Sequence, residues 1–575
     1  MTNFYLSEKK LYKPFSNDLE NVNIANFFKK ILTQDKDFLY LAAIYSIFIS
    51  ILSVALPVSV QLLINSVSFT GLLQPILVLG SILMLLLIFS AILNVLQFYV
   101  GEIFQQRFMA RMALEVSQRL VEADYKAIEE SNASELVNRF FEVTTIQKAV
   151  PKFLVKTLAF IFQTLIGLTI VAFYHPTLLL LSAIIAISFY LIVRLYFKRG
   201  AVSAFYESRR KYDIIGWLED ISRNIKIFKS EIGKNYCDFK TDFLTRQYLK
   251  ERKNHFHVLM RQKILLLFLY VAANCAMLVV GGFLVLKGQL TIGQLVASEL
   301  ILSVILYEIS QFARDIENVY DIIAALEKLS NFYNIPLDEK RRFKLDNQEQ
   351  IDISLNEVEI EHLQKKYYFN LKFAAKKNYI IAAKTISSKQ VLIDLINGFR
   401  LANKGFVEFN NKDISDVDLY NLRSQIATID NADLIEGSVE EYLTFNNKNI
   451  DRKRINQVLQ EVGFDKVLSR FEEGLQLRII PSGWPFSETE KILLKTARII
   501  LFEPKIIIIT EILDIVNFAM REKILQFLTK RHNATVLYFS NIRDGLEDFD
   551  QYIFIDENEA KIFNNIEELK KYEHQ

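Results

Sequence analysis

Apolar residues along this chain follow two different patterns. In the first part they gather into six long runs, 38–67, 75–100, 158–174, 178–197, 264–285 and 292–312. A helix needs about 20 mainly apolar residues to cross a bilayer. Each run reaches or approaches that length, so six membrane-spanning helices are predicted. From Ile351 onward the pattern changes to short apolar runs alternating with amphipathic stretches. Residues 379–383, 505–509 and 535–539 read as buried parallel strands, and 389–399, 452–462, 487–502 and 515–531 as helices. The expectation is an N-terminal all-α transmembrane domain of six helices followed by a C-terminal α/β domain.

The runs pair up. The connections after the first, third and fifth are short, around Ser68-Phe69-Thr70, His175-Pro176 and Lys287-Gly288-Gln289. Those after the second and fourth, 101–157 and 198–263, are long, helical in pattern and rich in Lys and Arg. Positive charge marks the cytoplasmic side, so the long segments read as cytoplasmic extensions of the spans, with both termini in the cytoplasm. Their tips are expected at 131–139 and 211–231. Ile24, Phe27, Phe28 and Ile31 share one helical face beside Lys29 and Lys30. That pattern suits a helix lying in the membrane interface or one packed on protein. The predicted domains are 1–36 with this helix, 37–330 transmembrane, 331–350 a polar linker, and 351–575 the α/β domain.

Composition narrows the function. Lys and Arg number 68 against 66 Asp and Glu, a net charge of +2, which gives no support for nucleic-acid binding. Mean hydropathy is +0.18, and the excess lies in the first 320 or so residues. Cys237 and Cys275 have neither disulfide nor metal-ligand spacing, and no metal site is expected. Residues 1–37 are polar and lack the apolar core of a signal peptide.

The α/β domain opens with a nearly complete phosphate loop. A working loop is G-x-x-x-x-G-K-[ST] between a strand and a helix. Here Ala383 to Gln390 reads A-K-T-I-S-S-K-Q. Lys389 stands, but Ala383 and Ser388 replace the glycines, with Ser387 beside them, and Gln390 replaces the hydroxyl that would ligate Mg²⁺. Glycines permit the backbone angles and close approach that wrap a phosphate. An amide is a poor substitute for a small hydroxyl ligand.

Six paired spans with long extensions, then a domain opening on a phosphate loop, resemble a half-transporter of the ABC exporter family. The resemblance covers nearly the whole chain and makes the C-terminal part a P-loop NTPase-like (ABC) domain. Leu56-Pro57-Val58 and the segment from Gly281 to Leu295, G-G-F-L-V-L-K-G-Q-L-T-I-G-Q-L, resemble the type I secretion and bacteriocin-export branch. The family's Walker B pattern, four apolar residues and then Asp-Glu, is here Ile506 to Ile509 followed by Thr510-Glu511: the magnesium-side aspartate is lost and the general-base position, Glu511, is kept. The Leu-Ser-Gly-Gly-Gln signature, eleven residues before Ala497-Arg498, becomes Phe486-Ser487-Glu488-Thr489-Glu490. A carboxylate facing a phosphate costs roughly 4 kcal/mol per pair of unit charges at about 4 Å and an effective dielectric near 20. The switch histidine becomes Ser540-Asn541, the Q-loop glutamine Asp430 or Asn431, and the adenine-stacking aromatic Tyr367 or Tyr368.

The resemblance implies ATP and Mg²⁺ as ligands, which the altered motifs put in doubt. It also implies the lipid bilayer and a second ABC half as partners, a heterodimer rather than a homodimer, with a secretion adaptor as a further candidate, in the bacterial inner membrane. Three functional readings follow. The chain is a catalytically impaired exporter half paired with a competent half, for a peptide, protein or other substrate. Or it is a homodimeric membrane scaffold or adaptor independent of nucleotide. Or it is an atypical ATPase using Lys389 and Glu511. Glu299 and Glu308, inside the sixth run, are candidates for a translocation path, with a place in water at the end of the span as the alternative. Trp217, Leu218 and Ile221 share a helical face near the second tip. They are candidates either to dock on a nucleotide domain or to pack within the extension.

Overall fold

The computed structural model describes residues 24–69, 73–130, 137–346, 349–431, 433–530, 533–546, 548–557 and 559–573. They form two compact units, the first running to Pro336 and the second starting at Leu337 and taking in Asp124–Lys126.

The first unit is helical. Among the described residues six segments are long and apolar enough to cross a membrane: Lys36–Val67, Leu73–Glu122, Phe141–Tyr174, Pro176–Arg223, Glu231–Leu286 and Ile292–Ala313. Each contains one of the six runs. The first is broken at Val54 into Lys36–Ser53 and Ala55–Phe69; Pro57 falls in the opening turn of the second piece, where a missing N–H is tolerated. Leu77, Ile82, Leu85, Ile92 and Phe98 on Leu73–Glu122 are all more than half exposed. A bilayer solvates such a surface and water does not.

The helices outrun the apolar runs. Leu73–Glu122 and Glu231–Leu286 hold 50 and 56 residues, about 75 and 84 Å at 1.5 Å per residue, against a hydrocarbon core of about 30 Å. His175 and Pro176 make the turn between the third and fourth spans: the Thr177 amide donates to His175 Nδ1 (3.2 Å), and Pro176 opens the next helix. The second extension turns over at Ile225–Phe228, with the Ser230 hydroxyl accepting from the Gly233 amide (3.0 Å) to start Glu231–Leu286. Of the expected first tip, 131–136 lies outside the described residues. Ile31 and Leu32, at the end of Ile24–Thr33, are buried in one cluster with Phe38, Phe104, Phe108, Ile146 and Phe332, so that end of the helix packs on protein.

The second unit is built on a six-stranded sheet in the order Ala560–Phe563, Gln551–Ile555, Asn378–Ala383, Thr535–Phe539, Ile506–Ile509, Ile426–Ile429. All neighbours are parallel except the edge strand Ala560–Phe563. Ile506 to Ile509 are fully buried, as expected of a central parallel strand. A four-stranded antiparallel sheet, Lys365–Phe373, Ile353–His362, Lys404–Phe409 and Lys412–Asp413, is interleaved with it in sequence, Asn378–Ala383 falling between its strands, and shares its core. Between the paired strands Ile426–Ile429 and Ile506–Ile509 the chain inserts the helices Val439–Thr444, Arg452–Val462 and Glu488–Phe502. The polar stretch after Leu337 is not free of this unit: Leu345 is buried, Arg423 pairs with Asp338 (2.6 Å), and Arg341 Nη1 donates to the Ile414 carbonyl (2.6 Å).

Candidate functional site

The helix expected to start at Lys389 starts three residues earlier, as Ile386–Ile396. Only Lys384 and Thr385 therefore separate it from the strand Asn378–Ala383. Thr385 is extended (φ −130°, ψ 150°) and its hydroxyl accepts from the Ser388 amide at 3.1 Å, an ordinary N-cap. The Ser388 hydroxyl donates back to the Thr385 carbonyl at 2.8 Å, and Ser388 is fully buried. None of the left-handed positions among the described residues lies between Ala383 and Gln390. The segment has become a strand, a two-residue link and a capped helix, which makes no demand for glycine. The signal was present in the sequence as Thr385 before an apolar helical run.

Lys389, one turn into this helix, forms an ion pair with Glu511. Gln390 Nε2 donates to Asp394 Oδ1 (2.9 Å), and Arg400 Nε reaches the other oxygen of the same buried carboxylate (2.8 Å). Ser387 stays half-exposed beside them.

Thr510 and Glu511 follow the buried strand Ile506–Ile509. The Thr510 hydroxyl donates to the Ile429 carbonyl (3.1 Å) and the Asp430 carbonyl (3.3 Å), tying two adjacent strand ends together. Glu511 opens a 3₁₀ turn, Glu511–Ile515. The same turn carries Asp514, which sequence reasoning left unassigned. Its Oδ1 accepts from the Tyr538 hydroxyl and from Ser540 Oγ (2.9 Å), and its Oδ2 from the backbone amide of Asn541 (2.9 Å). The Asn541 side chain itself is exposed. Burial, together with the Asp514 carboxylate, pushes the Tyr538 hydroxyl well above its usual pKa.

At the signature position the structure builds a helix start. Ser487 caps Glu488–Phe502: the Ser487 amide donates to Glu490 Oε2 (2.8 Å) and the Glu490 amide to Ser487 Oγ (3.4 Å). This is a capping box, and its S-x-x-E spacing is legible in the sequence. Arg470 adds an ion pair to Glu490 (2.6 Å). Partial burial opposes ionisation of Glu490, but the Ser487 amide and hydroxyl and the Arg470 guanidinium outweigh it and hold the carboxyl below its usual range. Glu488 pairs with Lys491 (2.6 Å), Thr489 is half-buried, and Phe486 packs edge-on to Phe464 and Phe471 in the core.

Of the two Q-loop candidates, Asp430 is met at its carbonyl by Thr510, and Asn431 by buried Lys495, which donates to its carbonyl and its Oδ1, both at 2.7 Å. Burial presses the Lys495 ammonium below its usual range, against the pull of Asp430. Tyr367 is fully buried in the core and has no face open to a base; Tyr368 is exposed. In the first unit Glu299 and Glu308 are both half-buried within Ile292–Ala313. Of the three residues offered for docking or packing, Leu218 is exposed and Ile221 half-buried, whereas Trp217 takes the packing alternative. It is 5% exposed, its Nε1 donates to Thr241 Oγ1 (2.9 Å), and Phe228 and Tyr236 meet it edge-on, so it packs within the extension.

Comparison with known proteins bears on both units. Residues 39–309 match the family of the ABC transporter transmembrane region. An ABC transporter ATP-binding protein of Bacillus subtilis, YknV, is 25% identical over 283 residues, covering 48% of this chain and 47% of that protein. A putative export ATP-binding/permease protein of Rickettsia typhi is 22% identical over 257 residues, 44% of each chain. The chain thus spans about half the length of these curated relatives. Among solved structures, a bacterial Atm1-family ABC exporter with ATP bound superposes with a TM-score of 0.81 at 15% identity, covering 93% of this chain and 97% of that one.

Proposed function

Since the membrane-spanning region of this chain belongs to the ABC transporter transmembrane family and its fold is that of an ABC exporter, we propose that it is the non-catalytic half of a heterodimeric exporter. In this reading it supplies six spans and a docking surface to a competent ABC half. ABC exporters of this kind typically work as pairs of halves, and the chain is an integral membrane protein. The substrate proposed, a peptide or protein, rests on the likeness of Leu56-Pro57-Val58 and 281–295 to the type I secretion branch.

The observation that carries the reading is the strand–Thr385–helix junction. A nucleotide needs backbone amides turned toward its phosphates, and here the Ser388 amide is spent on the Thr385 cap. A Mg²⁺ ion needs hard oxygen ligands, whereas Gln390 is engaged with Asp394 and the Thr510 hydroxyl points its proton at two carbonyls. Lys389 is neutralised by Glu511. The residues present do not fit Mg²⁺–ATP, so no hydrolytic step is assigned to them.

The capping box at Ser487–Glu490 supports the same reading from the opposite face, since that segment would complete the second chain's nucleotide site in the family. Closure of both faces also favours a second reading, a nucleotide-independent homodimeric scaffold. Purification of the tagged chain from its native membrane, with mass spectrometry of what accompanies it, separates the two. A stoichiometric ABC half with intact motifs supports the exporter; a self-dimer, alone or with adaptor components, supports the scaffold. Magnesium-dependent ATP turnover by the isolated chain, lost in Glu511→Gln, would overturn both.

A further inference from the structure

Acids occur in only one of the six apolar runs. The first five hold none, and their one base, Arg194, stands three residues from the end of its run. The sixth holds Glu299 and Glu308. Ala297, Ser298, Ile301, Leu302, Ile305 and Ile309 are buried and turn one side of this helix into the protein. Glu299, Ser303, Tyr307 and Ser310 recur at i, i+4, i+8 and i+11, so they share another face. The first two and Ser310 are half-buried, and Tyr307 is exposed. From Ile292 to Ala313, Ile292 and Tyr307 are the only large hydrophobic side chains exposed among the described residues, whereas Leu73–Glu122 exposes an apolar surface throughout its run. Glu299 has no ion pair among the described residues. Glu308, nine residues on, falls on the opposite side of the helix, where Lys156 and Asp315 are the charges that act on it.

We infer that the stripe Glu299–Ser303–Tyr307–Ser310 walls an aqueous path that admits cationic groups and turns anionic ones away, so that the exported peptide carries Lys or Arg past it. An unpaired carboxylate is costly against lipid and is kept in a span where it lines water. The stripe offers acceptors to a cation at every step: one carboxylate, then three hydroxyl oxygens that can each accept from an ammonium or guanidinium group. No base stands on it between Ile292 and Ala313. One uncompensated charge between low-dielectric walls also reaches further than the same charge in open water. This rests on the exporter reading, and it goes further by giving the substrate a charge.

The test labels a reporter thiol in open membrane fragments, with the full chain in its native membrane. Cys237→Ser and Cys275→Ser remove the native thiols, and Ser303→Cys, one helical turn from Glu299, supplies the reporter. Trimethylammonium-ethyl methanethiosulfonate is the cationic probe and sulfonatoethyl methanethiosulfonate the anionic one. Each rate is read by intact mass and divided by that probe's rate with mercaptoethanol. At low ionic strength a unit charge about 6 Å away in water changes each rate roughly threefold, in opposite directions. The cation-to-anion ratio is therefore expected to be about tenfold higher with Glu299 than with Glu299→Gln, and the difference to shrink in high salt. If Ser303→Cys does not fold, Val296→Cys, three residues to the other side of Glu299, gives the same comparison. A folded chain whose reporter is not labelled, or a ratio that Glu299→Gln leaves unchanged, overturns the inference. Co-purification is the separate readout for the exporter reading. An ABC half bound to a chain whose ratio ignores Glu299 leaves the exporter half and removes the cationic path. A charge-selective stripe in a chain that purifies without an ABC half leaves the acidic wall and removes the exporter reading.

Discussion

A methyl group on Gly200 would stand 2.1 Å from Cζ of Tyr320, and within 2.5 Å of two more atoms of its ring. Helix Pro176–Arg223 passes the helix Ile292–Tyr333 at this point with nothing between backbone and aromatic face. Tyr320 cannot retreat: it is fully buried and its hydroxyl donates to Gln262 Oε1 at 2.8 Å. Alanine in a helix is ordinarily favoured over glycine by about 1 kcal/mol. Here overpacking, at about 1–3 kcal/mol, is expected to win because three ring atoms are struck at once. Gly200→Ala should lower the thermal stability of the purified chain, and Gly200→Ala with Tyr320→Leu should recover most of it. An unchanged melting curve for the single variant would show that the ring is not locked.

Lys328 gives the first unit a pH dependence. Its Nζ lies 3.3 Å from Glu142 Oε1, 2.5 Å from Ser208 Oγ and 3.3 Å from the centre of the Tyr212 ring. Burial pulls its pKa from 10.5 to about 8, with Glu142 resisting. The native state therefore binds fewer protons than the unfolded chain between about pH 8 and 10.5, and stability should rise with pH through that window. Thermal unfolding followed just below pH 8 and again near pH 10 should show this rise in the wild type and not in Lys328→Met. At neutral pH that variant strands the buried Glu142 carboxylate, at a cost of about 3–5 kcal/mol.

Trp217 should behave as core. Truncation to alanine removes a large buried ring and is expected to cost about 3–5 kcal/mol, read as earlier proteolysis between Ile225 and Phe228 and a lower melting temperature. Trp217→Phe keeps most of the packing and loses the bond to Thr241, so it should cost far less. If Trp217→Ala leaves stability intact but weakens association with a second chain, the docking alternative returns.

The spans and the central strands were legible because each is set by one strong signal: length of apolar run in the first unit, short β-rich runs in the second. Ile506 to Ile509 and Thr535 to Phe539 could be placed from composition alone. The site was legible only by family spacing, and there the local rules won. Thr385 pulls the helix start forward because its hydroxyl can cap it, and no motif count includes a residue that the motif leaves open. Asp514 was missed for a different reason. Its partners, Tyr538, Ser540 and Asn541, come from another strand, and such long-range pairing leaves no periodic trace in the sequence. Trp217 was ambiguous because a helical face can be read from spacing while its neighbour, Glu231–Leu286, cannot.

The signature segment supplies the last prediction. Returning Glu488 and Thr489 to glycine restores two letters of the family pattern, and a reading by motif alone expects a gain of nucleotide-dependent function. The geometry expects a loss. Both residues lie in the first turn of Glu488–Phe502, and the chain there is already fixed by the reciprocal bonds of Ser487 and Glu490. Glycine at each should cost up to about 1 kcal/mol in helix propensity, and the Glu488 variant also gives up the ion pair with Lys491. Glu490→Ala, which leaves the Ser487 amide without its acceptor, should cost about 1 kcal/mol, and Glu490→Gln should cost less because its amide oxygen can still accept. Differential scanning fluorimetry orders the variants, and ATPase assay of each with a competent ABC half asks the functional question. If the double-glycine variant is both stable and faster in that assay, the segment is a damaged signature still held in its working geometry. If it is less stable and no faster, the segment is a helix cap.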